Sequence, residues 1–194
     1  MPHGKGEKGF HRLCPWWMGY ILLSPLRRLR QNPARILGGL VREGMTVLEV
    51  GPGMGFFSLE LARLVGASGR VIAVDIQPRM LKALERRAKR AGVAERLDLR
   101  LAPHGGMGVE DANGKVDFVL AFYVVHELPD AGVFFREAAA VLKPGGTILI
   151  AEPSGHVKEE QFEQTVQLAK DAGFMVVERP EIPVSRAVLM GKAG

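Results

Sequence analysis

The amino-acid sequence predicts an α/β fold: a largely parallel sheet with helices packed on both faces. Short apolar, β-branched runs at Thr46–Val50, 70–74, Leu97–Leu101, Val116–Phe122 and 147–151 alternate with segments of helical periodicity. These runs are nearly continuous in apolar character, which suits strands covered on both faces, because a strand with one wet face alternates instead. With 194 residues, 47% of them hydrophobic, the chain is long and apolar enough to bury one core.

The elements follow in order. Glycine and lysine crowd residues 1–9, which predicts disorder there. Asn32 and Pro33 offer an N-cap and a first-turn proline for a helix over 33–40 that ends before Gly44. A helix over 58–65 stops at Gly66. Met80, Leu81, Leu84, Ala88 and Ala91 fall at helical spacing, with Lys82, Arg86, Lys89 and Arg90 on the other side. That basic face reads as solvated, since no aromatic residues are interleaved for bases to stack on, and no nucleic-acid partner is expected. A helix over 133–142 is ended by Lys143-Pro144-Gly145-Gly146, and Phe162, Val166 and Ala169 mark another. Beyond Gly173, strands at Phe174–Glu178 and 186–191 are joined by Arg179-Pro180-Glu181-Ile182-Pro183. That link is too short for a crossover helix, so the two strands pair antiparallel and the sheet is mixed.

Composition narrows the function classes. The single cysteine, Cys14, forms no internal disulfide, and without a CxxC or Cys/His set no metal site is expected; a cytoplasmic location is. The apolar run over 14–23 is far shorter than the ~20 residues that cross a bilayer. A net charge of +5 is too small an excess to imply a polyanionic partner.

Chemistry enters where the strand Val47-Leu48-Glu49-Val50 runs into Gly51-Pro52-Gly53-Met54-Gly55 and then a helix. Positions without side chains let a ligand approach the backbone, and the following helix N-terminus suits an anionic group. Asp75 ends the second strand and is placed to accept hydrogen bonds from two ribose hydroxyls, implying an adenosine ligand. The alternative is a structural turn plus an acid that caps the helix near Pro78; the order strand, glycine turn, helix, strand, acid favours the nucleoside. A dinucleotide site spaces its glycines as G-x-G-x-x-G, but Phe56 and Phe57 stand where the third would fall. A nicotinamide-dependent oxidoreductase is therefore disfavoured.

These residues, with Val71-Ile72-Ala73-Val74-Asp75-Ile76, Asp117-Phe118-Val119-Leu120 and Leu142-Lys143-Pro144-Gly145-Gly146-Thr147, make the chain resemble the class I S-adenosylmethionine-dependent methyltransferases. The likeness is strongest to the small type that includes the ubiquinone and menaquinone methyltransferases, and it runs from about Asn32 to Lys192. It implies a Rossmann-like seven-stranded sheet of order 3-2-1-4-5-7-6 with strand seven antiparallel, S-adenosylmethionine as cofactor and S-adenosylhomocysteine as product. It further implies that Glu49, Gly51, Pro52, Gly53 and Gly55 surround the methionine part, that Asp75 holds the ribose and that Ile76 packs on the adenine. The acid usual after the third strand is missing from Leu101-Ala102-Pro103-His104-Gly105-Gly106, so Ala102 is expected to line an altered adenine pocket through its backbone. The glycine-rich stretch 103–113 is expected to be mobile.

Methyl transfer is an in-line displacement whose main requirement is a dry, positioned acceptor. The loop Tyr123-Val124-Val125-His126-Glu127-Leu128-Pro129-Asp130, after the fourth strand, faces the reacting end of the cofactor in this topology. His126 is the candidate base, with Tyr123 beside it; the competing reading is that His126 packs the loop or caps the next helix. Glu152 and His156 follow as weaker candidates, and His3 and His11 lie in the flexible start. Residues 1–31 form an N-terminal extension to a methyltransferase domain over 32–194. Its segment 14–30 holds Trp16, Trp17 and Tyr20 before Arg27, Arg28 and Arg30, and reads as a substrate lid or an edge helix, with peripheral membrane contact ranked third. The expected activity is methyl transfer to a small or lipid-like acceptor. The rival from another class is a non-catalytic nucleoside- or partner-binding module on the same fold.

Overall fold

The computed structural model describes residues 25–103 and 105–193. The start over 1–24, with Cys14 and both tryptophans, and His104 lie outside the described residues. The seven strands, β1 Thr46–Val50, β2 Arg70–Asp75, β3 Leu97–Leu101, β4 Val116–Phe122, β5 Leu142–Pro153, β6 Phe174–Glu178 and β7 Ser185–Lys192, form one sheet of order β3-β2-β1-β4-β5-β7-β6. Strands β1 to β5 pair in parallel, and β7 runs antiparallel to both β5 and β6. The order implied by the family resemblance is the order observed.

Side chains alternate across β1, and that period divides the core in two. Val47 joins Val71, Phe118, Leu120 and Leu149 on one face, beneath Leu37 of α2 (Pro33–Leu37), Leu61 of α3 (Ser58–Leu64) and Leu84 of α4 (Pro78–Arg90). Leu48 joins Ile72, Val119 and Ile148 on the other, beneath Phe134 and Phe135 of α5 (Ala131–Val141) and Phe162 of α6 (Glu159–Asp171). A six-residue helix, α1 (Pro25–Arg30), precedes them. Among the described residues no helix is long and apolar enough to cross a membrane.

Both covered faces hold for the middle of the sheet and fail at its edges. In β3 the sequence Leu97-Asp98-Leu99-Arg100-Leu101 alternates, no residue is fully buried, and Arg100 pairs with Asp98 (2.7 Å) and Asp111 (2.6 Å). At the other edge Met175, Val176 and Val177 of β6 are exposed. Helix α2 stops at Leu37, earlier than 40, and Asp130 starts α5 at Ala131, earlier than 133, by accepting the Val133 N–H at 2.9 Å. The Lys143-Pro144-Gly145-Gly146 stretch does not separate helix from strand. It is the irregular opening of β5, where Val116 pairs with Leu142 and Phe118 next with Thr147 while Gly145 takes φ +75°.

Phe118, at the centre of β4, is 1% exposed. Phe118→Ala is expected to cost about 3–5 kcal/mol in urea unfolding, whereas Leu29→Ala, at an 82% exposed position, is expected to change stability by less than about 0.5 kcal/mol.

Candidate active site

The crest of the sheet, at the carboxyl ends of β1, β2 and β4, collects most of the residues singled out from the sequence. The ladder carries past β1 as the Gly51 N–H donates to Val74 O (2.9 Å), after which Gly51, Gly53 and Gly55 all take left-handed φ, +67°, +54° and +84°. A β-carbon on Gly51 would lie 2.7 Å from Val124 Cγ2, so the loop after β4 packs directly on the glycine turn. A β-carbon on Gly53 would meet nothing within 4 Å, which leaves the middle of the turn open in front. Pro52 is buried between them.

Asp75 is buried at the end of β2 and ties the crest together. Its Oδ2 accepts the Gly53 N–H at 3.1 Å and its Oδ1 accepts the Gln77 N–H at 2.8 Å. Burial raises its pKa, and the N–H groups of Gln77, Gly53 and Ile76 oppose that. Part of the capping alternative is therefore real, since Asp75 holds the N–H of Gln77, the residue that opens α4 without a side-chain cap of its own. With three backbone N–H groups on a carboxylate that can accept about four hydrogen bonds, acceptor capacity remains on Asp75. Ile76 (51% exposed) and Leu101 (56% exposed) stand beside it as uncovered apolar surface. The Ala102 N–H is spent on Asp75 O at 3.0 Å, and its half-buried side chain packs against the core.

Glu49 is the other buried acid of the crest. Burial pushes its carboxyl up to about 7; the neighbouring Ser58 hydroxyl lowers it and the Asp75 charge raises it further. Neither Glu49 Oε2 nor Ser58 Oγ completes a hydrogen bond among the described residues. Buried polar atoms are nearly always paired, so Glu49 Oε2 beside the Ser58 hydroxyl is a point of unused acceptor capacity in the crest. Ser58 was not legible from the sequence as a site residue; a hydroxyl in the first turn of the helix after the glycine turn was the available signal.

Beyond β4, Tyr123 adopts φ +63°, rare for a side-chain-bearing residue, with its N–H held by Ala151 O at 2.8 Å. Its hydroxyl meets Ser185 Oγ (2.7 Å), donates to Val184 O (3.3 Å) and accepts from Gln31 Nε2. Val184 is the other non-glycine residue at positive φ among the described ones. The Phe56, Phe57, Phe122 and Tyr123 rings form a continuous wall, with successive centroids 5.1, 4.4 and 4.6 Å apart, and the Arg27 guanidinium of α1 lies 4.2 Å from the Phe56 centroid. The residue pairs Phe56-Phe57 and Phe122-Tyr123 were the sequence signal for this wall.

His126 sits in a single helical turn, Val125–Glu127, with Nδ1 2.5 Å from Glu152 Oε2 and its backbone N–H 3.2 Å from Glu152 Oε1. Glu152 is fully buried. The hydrogen bond to Glu152 raises the His126 pKa, burial lowers it, and the Glu152 and Glu127 charges raise it. Asp130 caps α5, so His126 is not the cap. The His156 ring lies 5.8 Å from that of His126. The pairing of His126 with Glu152 was legible only once the order β4–β5 put the two strand ends side by side. Among the described residues, no group of three or more His, Cys, Asp or Glu side chains is placed to hold a metal ion.

A seven-stranded sheet of this order, with a glycine turn after β1 and an acid ending β2, defines the class I S-adenosylmethionine-dependent methyltransferases. A family model described as a methyltransferase domain matches residues 41–182, and the chain belongs to that family. It is 37% identical over 147 residues to the ribosomal protein L11 methyltransferase of Pelotomaculum thermopropionicum, covering 76% of this chain and 44% of that one. It is 36% identical over 130 residues to the arsenite methyltransferase of Halobacterium salinarum (66% and 32% covered). It is 32% identical over 152 residues to the ubiquinone biosynthesis O-methyltransferase of Bradyrhizobium diazoefficiens (77% and 54%). The chain thus spans about a third to about half the length of these curated relatives. A crystal structure of an S-adenosylmethionine-dependent methyltransferase from Aquifex aeolicus shares the fold at TM-score 0.82 and 24% identity, covering 92% of this chain and 99% of that chain.

The Glu49 carboxyl titrates near 4.5 when exposed and about 7 when folded, so the stability it confers is complete below the lower value and lost as pH rises through the higher. Glu49→Gln, which stays neutral, is expected to stabilise the free protein by ~1–3 kcal/mol at about pH 8.5 and by much less at about pH 5, read from urea unfolding. An equal effect at both pH values would contradict the buried carboxyl.

Proposed function

We propose that this chain transfers a methyl group from S-adenosylmethionine to a small or lipid-like acceptor, and the observation that carries the proposal is the open glycine turn flanked by the orphaned Glu49 Oε2. The residues present fit the cofactor. The space in front of Gly53 accommodates backbone contact, Glu49 Oε2 beside the Ser58 hydroxyl can accept from an ammonium, Asp75 retains acceptor capacity for a diol, and Ile76 offers an apolar face to a purine. Gly51, Pro52, Gly53, Gly55 and Glu49 would hold the amino-acid part, Asp75 the ribose, and Ile76 with Ala102 the adenine.

When bound, S-adenosylmethionine supplies an electrophilic methyl on a sulfonium. The chain contributes position, exclusion of water and, for an O–H or N–H acceptor, a base. His126 suits that last role because Glu152 holds its Nδ1–H, leaving Nε2 to accept a proton and stabilising the imidazolium that results. Tyr123, with its hydroxyl already engaged by Gln31, Ser185 and Val184, suits a wall that orients the acceptor. Gln31 and Arg27 reach in from the end of the N-terminal extension over 1–31, which supports a lid or an edge helix over the membrane anchor. The relatives named above carry protein, arsenite and quinone-precursor chemistry in their names; a half-buried base on a fully buried acid supports a small acceptor here. The lone cysteine supports a cytoplasmic setting.

Calorimetry is expected to show binding of S-adenosylhomocysteine and none of NAD, with Asp75→Ala weakening the former by about 1–3 kcal/mol as a buried polar partner is lost. Unchanged affinity would contradict the ribose assignment. With labelled cofactor and an accepted substrate, His126→Ala is expected to lower kcat about 10²–10⁴-fold. Because the His126 pKa lies above the ordinary 6.5, the acidic limb of the kcat/KM profile should lie above pH 6.5 and move to lower pH in Glu152→Gln. A limb that stays in place would remove the pair from the reaction.

A further inference from the structure

The Arg27 guanidinium lies within reach of four rings at once: its carbon is 4.2 Å from the Phe56 centroid, 5.4 Å from Tyr123, 5.8 Å from Phe122 and 5.9 Å from Phe57. Ring faces carry negative charge density, and several rings converging on one point make a site for a cation. This wall is built into the crest. Phe56 and Phe57 follow Gly55 directly, Phe122 ends β4 with Tyr123 just after it, and the next residue, Val124, packs on Gly51.

The occupant, by contrast, is held by a short element. Helix α1 has six residues, and among its described side chains Leu29 and Arg30 face solvent. Arg27 Nε donates to Gln31 Oε1 at 2.9 Å, and the buried Gln31 binds the loop before β7 through Ser185 Oγ (3.0 Å) and Pro183 O (3.2 Å) as well as the Tyr123 hydroxyl. The segments that meet here include Tyr123 and Val184, the two non-glycine residues at positive φ, and their contact is Tyr123 hydroxyl to Val184 O. Strained backbone persists where surrounding contacts over-determine it, and such residues gather at ligand clamps and switches.

We propose that the Phe56–Phe57–Phe122–Tyr123 wall is the subsite for a cationic group on the methyl acceptor, and that Arg27 fills it as an internal stand-in which the acceptor displaces. The substrate class is then a small molecule bearing a guanidinium or alkylammonium group. The acceptor role rests on the methyl-transfer reading; the cation subsite does not.

Choline and its neutral isostere 3,3-dimethyl-1-butanol separate the possibilities, titrated by calorimetry into the full chain. Arg27→Ala is expected to bind choline at least about tenfold more tightly than the unaltered protein, with no matching gain for the alcohol. Arg27→Lys keeps a cation on the wall and is expected to leave choline binding at the original level. Adding Phe56→Leu to Arg27→Ala is expected to erase most of the gain. Choline affinity unchanged in Arg27→Ala, an equal gain for the alcohol, or a gain that survives Phe56→Leu would each overturn the proposal and leave Arg27 as a structural clamp. If Arg27→Ala proves unfolded by circular dichroism, Arg27→Met takes its place with the same expectations. Binding of S-adenosylhomocysteine on the same samples reports the methyl-transfer reading separately.

Discussion

The crest of this molecule depends on one buried carboxylate. Asp75 is the end of a central strand, yet its side chain accepts the N–H of Gly53 in the neighbouring strand's turn and the N–H of Gln77 at the start of the following helix. Hydrogen bonds to a charged acceptor are stronger than neutral ones, at about 1.5–3 kcal/mol each, and they offset part of the cost of burying the carboxylate. The turn alternates Gly51, Gly53 and Gly55 in the left-handed region with Pro52 and Met54, and the Gly55 N–H donates to Pro52 O at 2.9 Å. Asp75 adds the side-chain tie that fixes the Gly53 N–H at the middle of that turn.

Around that fixed point the crest is polar where the core below it is not. Glu49, Asp75 and Glu152 are buried acids towards the carboxyl ends of strands whose neighbouring buried side chains, among them Val47, Leu48, Val71, Ile72, Ile148 and Leu149, are aliphatic. Buried acids destabilise a free domain unless something partners them. Asp75 has backbone N–H groups and Glu152 has His126, whereas Glu49 keeps an unpartnered oxygen and responds by titrating near neutrality. Among the described residues, Glu49 Oε2 and Ser58 Oγ are the buried side-chain atoms without a hydrogen-bond partner, and the proposed cofactor site rests on that pair.

Much of this was legible in the sequence, for identifiable reasons. Apolar runs bounded by glycine and proline placed six of the seven strands to within a residue of their ends and missed the start of β5 by five residues. The glycine turn and Asp75 are local features whose spacing alone joins them. What escaped were facts that depend on how strands are ordered. The alternation in Leu97-Asp98-Leu99-Arg100-Leu101 reads as an edge strand only when its neighbour on one side is known to be missing. The early start of β5 at Leu142 comes from pairing with Val116, which no local propensity contains. His126 was picked out for its chemistry, but its acid lies 26 positions away and becomes its partner only because β4 and β5 are adjacent. Arg27 and Gln31 look like surface residues of a basic helix. Only the assembled ring wall and the loop before β7 reveal where they sit.

A crystal structure of the chain with S-adenosylhomocysteine tests the central claim most directly. The expected result is a ligand whose ribose diol lies on Asp75, whose ammonium lies on Glu49 and whose sulfur faces the segment from Tyr123 to His126. A ligand found instead in the groove of about 660 Å³ between α4 and β3, lined by Leu81, Leu97, Leu99 and Leu101, would contradict it. So would a ligand bound at the crest while the Gly53 and Gln77 contacts of Asp75 exclude its diol.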